Sequence, residues 1–329
     1  LKASELSVKT HHYLAGLFHR AGLPAGVLNV IQARREDASI VTEALIAHPG
    51  IRKIEFIGSA PVGRAIGALA GKHLKPILME LGGKAAALVL DDADLELAAN
   101  GCVIGAFTHS GQVCFSTERV IINSAVVEKF IVLLKEAAAK FQGSGRVSVA
   151  GTRAALSMQE DAVAKGAKII YGEVKLLDEA ILHPLILSGV TSEMQIYDKE
   201  SFGPVLAVYE VDSDEEAIEL ANNSRSGLSA GIYSKDITRA LTIASKIEVG
   251  QTHINFPFGT GWEECEFDHP QMECNLLLTV LLATFTIGMC KESGYGKQNG
   301  DYGLDEFLDL RAVLITNPPE FFHGMATST

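Results

Sequence analysis

The stretch KIEFIGSAPVGRAIGALAGKHLKPILMELGGK, residues 53–84, carries the reading that decides the fold. Two short apolar runs, 53–57 and 76–80, have strand length, and the segment 60–69 between them has helix length, with Pro61 suited to a first helical turn. A strand, a crossover helix and a second strand make a βαβ unit, which implies parallel pairing and a sheet covered by helices.

The alternation extends outward from this unit. Upstream, Ser7 is placed to cap a helix whose stripe Leu14, Leu17, Phe18 and Ala21 ends at Gly22 and Pro24. A strand at 27–31 and a helix at 37–47 follow. Downstream come a strand at 85–90, a helix at 93–108, a cysteine-bearing loop, a strand at 119–122 and a helix at 126–141. Gly143-Ser144-Gly145 reads as a linker. From 161 to 255 the pattern predicts a helix and strand to 171, strands at 205–209, 228–233 and 252–255, and helices at 214–222 and 237–247. The fold class is therefore α/β: a partial Rossmann-like parallel-sheet domain (1–82), then a second α/β catalytic domain (83–290), then a C-terminal segment (291–329). Residues 257–290 form a divergent apolar insert, and its most apolar part, 275–289, is shorter than a membrane span.

The chain has 329 residues, 47% hydrophobic and 21% charged, with a net charge of −12. That balance fits an ordinary globular protein and disfavours nucleic acid as a partner. Cys102, Cys114, Cys265, Cys274 and Cys290 are odd in number, without CxxC or a zinc spacing, so free thiols, a reducing compartment and no metal are expected. No secretory signal pattern opens the sequence, and the expected location is cytoplasmic, without a membrane partner.

Four features carry chemistry, and each has a bland reading. Cys114, in GQVCFS, is either a packed small hydrophobe or a nucleophile. Glu80 ends an apolar strand ahead of Gly82-Gly83, where open α/β sheets bind ligands, or is simply a solvated strand end. Gly58, Ser59 and Gly63 lie at a strand-to-helix junction suited to a pyrophosphate, or mark an ordinary capped helix. Glu200-Ser201-Phe202-Gly203-Pro204 is a turn. Neither GxSxG nor HExxH occurs, which leaves serine or metal hydrolysis without support.

Taken together, LKASE, FIGSAPVGR, MELGGK, GQVC, ESFGPV and SGYGK stand in the order of the NAD(P)-dependent aldehyde dehydrogenase superfamily. The chain resembles that family over 1–255 and again over 291–316, and its wording is nearest the salicylaldehyde and vanillin branch. The resemblance implies that Cys114 attacks an aldehyde carbonyl and passes through a thiohemiacetal and a thioester, with Glu80 as general base. It implies NAD rather than NADP, held at Lys2 and Glu5 on the adenine-side ribose and at Gly58, Ser59 and Gly63 by the pyrophosphate. Leu81, Gly82, Glu200 and Phe202 would lie around the nicotinamide and its ribose.

The product would be a carboxylic acid, and 311–316 resembles an oligomerisation strand, so a homo-oligomer is expected. Family members carry further chain ahead of Lys2, including an asparagine of the oxyanion hole, which leaves the Cys114 N–H as the family donor here. The alternative reading is a truncated, catalytically inactive relative that acts through subunit contact. The connection 139–159 looks shortened, which is expected to disturb packing behind the cysteine loop.

Overall fold

The computed structural model describes residues 1–256, 287–309, 311 and 313. The insert segment 257–286, and most of the expected oligomerisation strand, lie outside the described residues.

The first part holds α1 (Val8–Arg20), α2 (Ala38–Ala47), β1 (Ile54–Gly58), α3 (Ala60–Lys72) and β2 (Ile77–Leu81). β1 and β2 pair in parallel with α3 as the crossover, as the opening stretch predicts. Ile46, Ile66, Met79 and Leu81 form the small core between α2, α3 and this pair.

Two local expectations are corrected here. Ser7 makes no side-chain cap bond to α1; its Oγ lies 3.1 Å from His11 Nδ1 instead. The strand expected at 27–31 shrinks to a parallel bridge between Ile31 and Lys2. The residues before it are spent on turns, where Val27 N–H donates to the Pro24 carbonyl and the Asn29 side chain donates to that of Gly26.

The second part runs β3 (Ala85–Val89), α4 (Leu95–Phe107), β4 (Thr117–Asn123), α5 (Val127–Ala138), α6 (Val149–Ala164) and β5 (Lys168–Tyr171). A small hairpin, β6 (Leu176–Asp178) with β7 (Ile181–Leu182), leads to β8 (Leu185–Ser188) and β9 (Val205–Val211). Then come α7 (Asp214–Asn222), β10 (Ser226–Gly227), β11 (Ser229–Tyr233), α8 (Ile237–Ala244) and β12 (Gln251–Ile254). Seven strands form one sheet in the order β12-β11-β3-β4-β9-β8-β5, parallel throughout except where β5 meets β8.

β8 escaped the sequence reading because four residues between Pro184 and Gly189 give too short a pattern. α6 begins twelve residues ahead of the expected helix, capped by the Ser148 Oγ, which accepts from Gly151 N–H. β3 and β4 are buried almost end to end, as a parallel sheet covered on both faces requires.

The chain returns with β13 (Ile287–Gly288), β14 (Cys290–Lys291), β15 (Gly294–Tyr295) and β16 (Lys297–Gln298). β15 adds antiparallel to β2, setting Gly294 opposite Glu80. No described helix is long and apolar enough to cross a membrane.

Candidate active site

Glu80 reaches the site because β2 delivers it at its penultimate position, with Ile57 and Gly294 as register neighbours. It is 5% exposed.

Cys114 arrives from another layer. After α4 ends at Phe107 the chain turns through three left-handed residues, His109 (φ 52), Ser110 (φ 58) and Gly111 (φ 69). Two of these are not glycine, so the turn needs external support. Ser110 Oγ donates to the Ser144 carbonyl at 2.7 Å, and Ser116 Oγ donates to the Gly105 carbonyl at 2.8 Å. Gly111 is obligatory, because a Cβ there would collide with the Gly203 carbonyl.

The two side chains meet: the Cys114 thiol and the Glu80 carboxyl are hydrogen-bonded. Burial pushes Glu80 above the ordinary carboxylate range, opposed by that hydrogen bond. Burial pushes the thiol well up too, reinforced by Glu80 and by Glu200. The thiol therefore holds its proton at rest, facing a carboxylate placed to take it.

Glu200 completes the cluster. It lies so close to Gly82 that a Cβ there would overlap its carboxyl, and Gly83 N–H donates to it. A Cβ on Gly83 would come within 3.1 Å of the Cys114 carbonyl. The glycine pair is thus the shared wall between Glu200 and Cys114, and side chains at either position would push the two apart. Burial, then the charge of Glu118, raises Glu200 to about 8. Its Oε1 is buried with no hydrogen-bond partner among the described residues. Phe202 follows at φ 47 and is 40% exposed.

Other expected residues sit around this cluster. Leu81 is 5% exposed and pairs with Gly58 across β1 and β2. Gly63 is buried in α3 with its missing Cβ 2.7 Å from a Leu81 methyl, so it serves the close approach of α3 to β2. Ser59 takes the N-cap position of α3 with extended backbone and an exposed side chain that makes no cap bond. Lys2, half-buried, bridges Ile31, and Glu5 is exposed nearby in sequence. Lys2 thus belongs to an isolated bridge apart from the sheet that carries Glu80, and Glu5 lies in the turn that follows.

The expectation that the shortened connection disturbs the cysteine loop is corrected: residues 144–147 brace it. Besides the Ser144 contact, Val147 N–H donates to the Gln112 side chain at 2.9 Å, and Arg146 donates to the Phe202 carbonyl. Gly143-Ser144-Gly145 is therefore a clasp as well as a link.

Four side chains of the site were missed in the sequence. Ser293, fully buried, donates to the Gly82 carbonyl at 3.0 Å and accepts from Gly227 N–H at 2.9 Å. Arg146 clamps Phe202, and Lys84 forms a buried ion pair with Glu118. A signal for Glu118 and Arg119 existed, since two charges inside the apolar run 117–123 have no place in a buried strand unless paired. Ser293 opens the SGYGK motif, which singled out its segment without giving the serine a role, and Arg146 carried no signal.

The Aldehyde dehydrogenase family model matches residues 1–268. Vanillin dehydrogenase of Pseudomonas fluorescens is 41% identical, over 98% of this chain and 64% of that protein. Salicylaldehyde dehydrogenase of Pseudomonas putida is 35% identical, over 95% of this chain and 63% of that protein. Among solved structures, a salicylaldehyde dehydrogenase from Pseudomonas putida G7 complexed with salicylaldehyde matches with a TM-score of 0.83 at 35% identity, over 94% of this chain and 62% of that one. An NAD-dependent aldehyde dehydrogenase from Sinorhizobium meliloti matches with a TM-score of 0.84 at 30% identity, over 96% and 60%. The chain spans a little under two thirds of the length of the curated relatives it matches.

Proposed function

The chain belongs to the aldehyde dehydrogenase family, and from that premise we propose that it oxidises an aldehyde to a carboxylic acid with NAD, through a covalent adduct on Cys114. One observation carries the reading: a protonated, half-buried thiol hydrogen-bonded to a buried carboxyl, Cys114 to Glu80. Names of relatives that act on vanillin and salicylaldehyde support an aromatic aldehyde as substrate.

Glu80 takes the thiol proton and Cys114 Sγ adds to the carbonyl carbon, giving a thiohemiacetal. Bound NAD would supply the hydride acceptor. The adduct, having lost hydride, is a thioester. Glu80 passes that proton to solvent, then takes one from a water that attacks the acyl carbon, and returns it to Sγ as Cys114 leaves with release of the acid. The developing oxyanion would be met by the Cys114 N–H.

The residues present fit the cofactor on one structural point: the buried, unpartnered Glu200 Oε1 suits a ribose hydroxyl that donates to it. Ser59, Gly58 and the first turn of α3 would face the pyrophosphate, with Lys2 and Glu5 at the adenine-side ribose, where a carboxylate favours NAD over NADP. Phe202, Leu81 and Gly82 would border the nicotinamide. We place a domain boundary near residue 82, supported by β2 and β3 lying in different sheets, and read the protein as a cytoplasmic homo-oligomer.

The test is direct. The purified chain mixed with NAD and vanillin, salicylaldehyde or benzaldehyde should produce NADH and the matching acid in equal amounts. Absence of NADH at high protein concentration with all three would sink the reading.

A further inference from the structure

Glu118 lies four residues after Cys114, at the start of β4, and is 2% exposed. Its carboxylate is joined to both other segments of the site. One side receives Ser201 N–H at 2.8 and 3.1 Å and Phe202 N–H at 3.2 Å, directly after Glu200. The other side pairs with Lys84, also 2% exposed, which follows the Gly83 whose N–H donates to Glu200. Arg119 Nε donates to the Lys84 carbonyl at 3.0 Å and fixes that turn to β4. Arg146 holds the Phe202 carbonyl from the opposite face, so the left-handed Phe202 is gripped on both sides.

A buried ion pair adds little net stability compared with apolar side chains of the same volume. Its burial here, bonded to every loop that carries a reacting group, calls for another role. We propose that Glu118, paired with Lys84, is a positioning residue that fixes the Glu200 carboxyl beside Cys114 and governs the charge it carries. This deepens the aldehyde dehydrogenase reading of the site and rests on it for the identity of the reacting groups.

The charged and titratable groups around Glu118 are Lys84 from the turn after β2, Arg119 on β4, Glu200 from the loop before β9, and Tyr209 on β9. Those facing Glu200 are Glu118, Lys84 and Glu80, with Cys114 beyond the glycine pair. Glu118 opposes ionisation of Glu200 and Lys84 assists it, Glu118 having the larger effect.

Alkylation of Cys114 by iodoacetamide reports this coupling without turnover. The rate is followed on the full chain from pH 6 to 10, by mass spectrometry of the Cys114 peptide. The logarithm of the rate should rise with pH but flatten near 8, where Glu200 ionises and makes the thiolate harder to form. In Glu118→Gln, which keeps an oxygen for Ser201 N–H but loses the charge, the flat region should move to lower pH by about one unit. The paired variant Lys84→Met with Glu118→Leu removes both charges and keeps the volume, and serves if the single variant does not fold. Its flat region should move in the same direction by less.

A uniform change in rate with the flat region unmoved, or no flat region in the unaltered chain, overturns the proposal. A moved flat region in a chain that makes no NADH would instead uphold the positioning role and sink the oxidation, so the two readings fail separately.

Discussion

α4 and α1 have the same length and opposite surroundings. α4 buries ten of its thirteen residues, while α1 buries Ala15 and leaves Leu14, Leu17 and Phe18 exposed. The contrast extends to the regions they belong to. The layers around Cys114 are walled by the seven-stranded sheet and its helices, whereas α2, α3, β1 and β2 are packed on the four-residue core of Ile46, Ile66, Met79 and Leu81. Desolvation explains what this does to chemistry. Cys114, Glu80 and Glu200 all titrate above their ordinary ranges because apolar walls exclude water from them. Ser59 and Glu5 remain exposed. The proposed reacting groups are held by burial, and the proposed dinucleotide contacts rest on far less packing.

The comparison can be broken from its strongest side first. Cys114→Ser should lower NADH production from an aromatic aldehyde by about 10⁴-fold, with the melting temperature nearly unchanged; comparable activity in the serine variant would move the chemistry elsewhere. Next in size, Phe130→Ala opens a cavity in the buried face under α5, where Phe130 is fully covered. It should cost about 3–5 kcal/mol in urea unfolding.

Gly111→Ala forces a Cβ against the Gly203 carbonyl at φ 69, and should cost about 1–3 kcal/mol, with alkylation of Cys114 altered as the loop shifts.

The pH dependence of Glu200 gives a finer measure. Its folded value, about 8, lies above the ordinary carboxylate value of 4.5, so the folded state holds a proton that the unfolded chain has already released. The associated stability is fully present below 4.5 and is lost as pH rises towards 8. Glu200→Gln should therefore melt higher than the parent at pH 8, with the gap narrowing towards pH 5. A gap that widens on acidification would show that Glu200 is stabilised as the anion. The smallest effect belongs to α1: Phe18→Ser, at a side chain 56% exposed, should change unfolding by no more than about 0.5 kcal/mol. A loss as large as that of Phe130→Ala would mean that this face is covered in solution.

Much of the fold was legible. The unit at 53–84 fixed parallel pairing, and the helix expected at 214–222 forms as Asp214–Asn222, where the structure adds a Ser213 cap. Misreadings came where one local signal had two uses. Ser7 has the chemistry of a cap but bonds a histidine, Val27 and Asn29 suit a strand but serve turns, and β8 was too short to announce itself. Within the site, the order of motifs singled out Cys114, Glu80 and Glu200. The sequence was silent about their mutual contact, since 34 and 86 residues separate Cys114 from the other two.

By itself, then, the sequence determined the α/β class and the family and proposed candidates for the reacting side chains, because periodicity, glycine placement and motif order are local properties of the chain. Only the tertiary structure decided that Gly82 and Gly83 are the wall between Cys114 and Glu200, that Ser293 braces that wall while residues 144–147 brace the cysteine loop, and that Lys84 and Glu118 tie the three segments together. The reason is physical: a raised carboxyl or a guarded thiol depends on which distant segments exclude water from it, and no stretch of sequence carries its own surroundings.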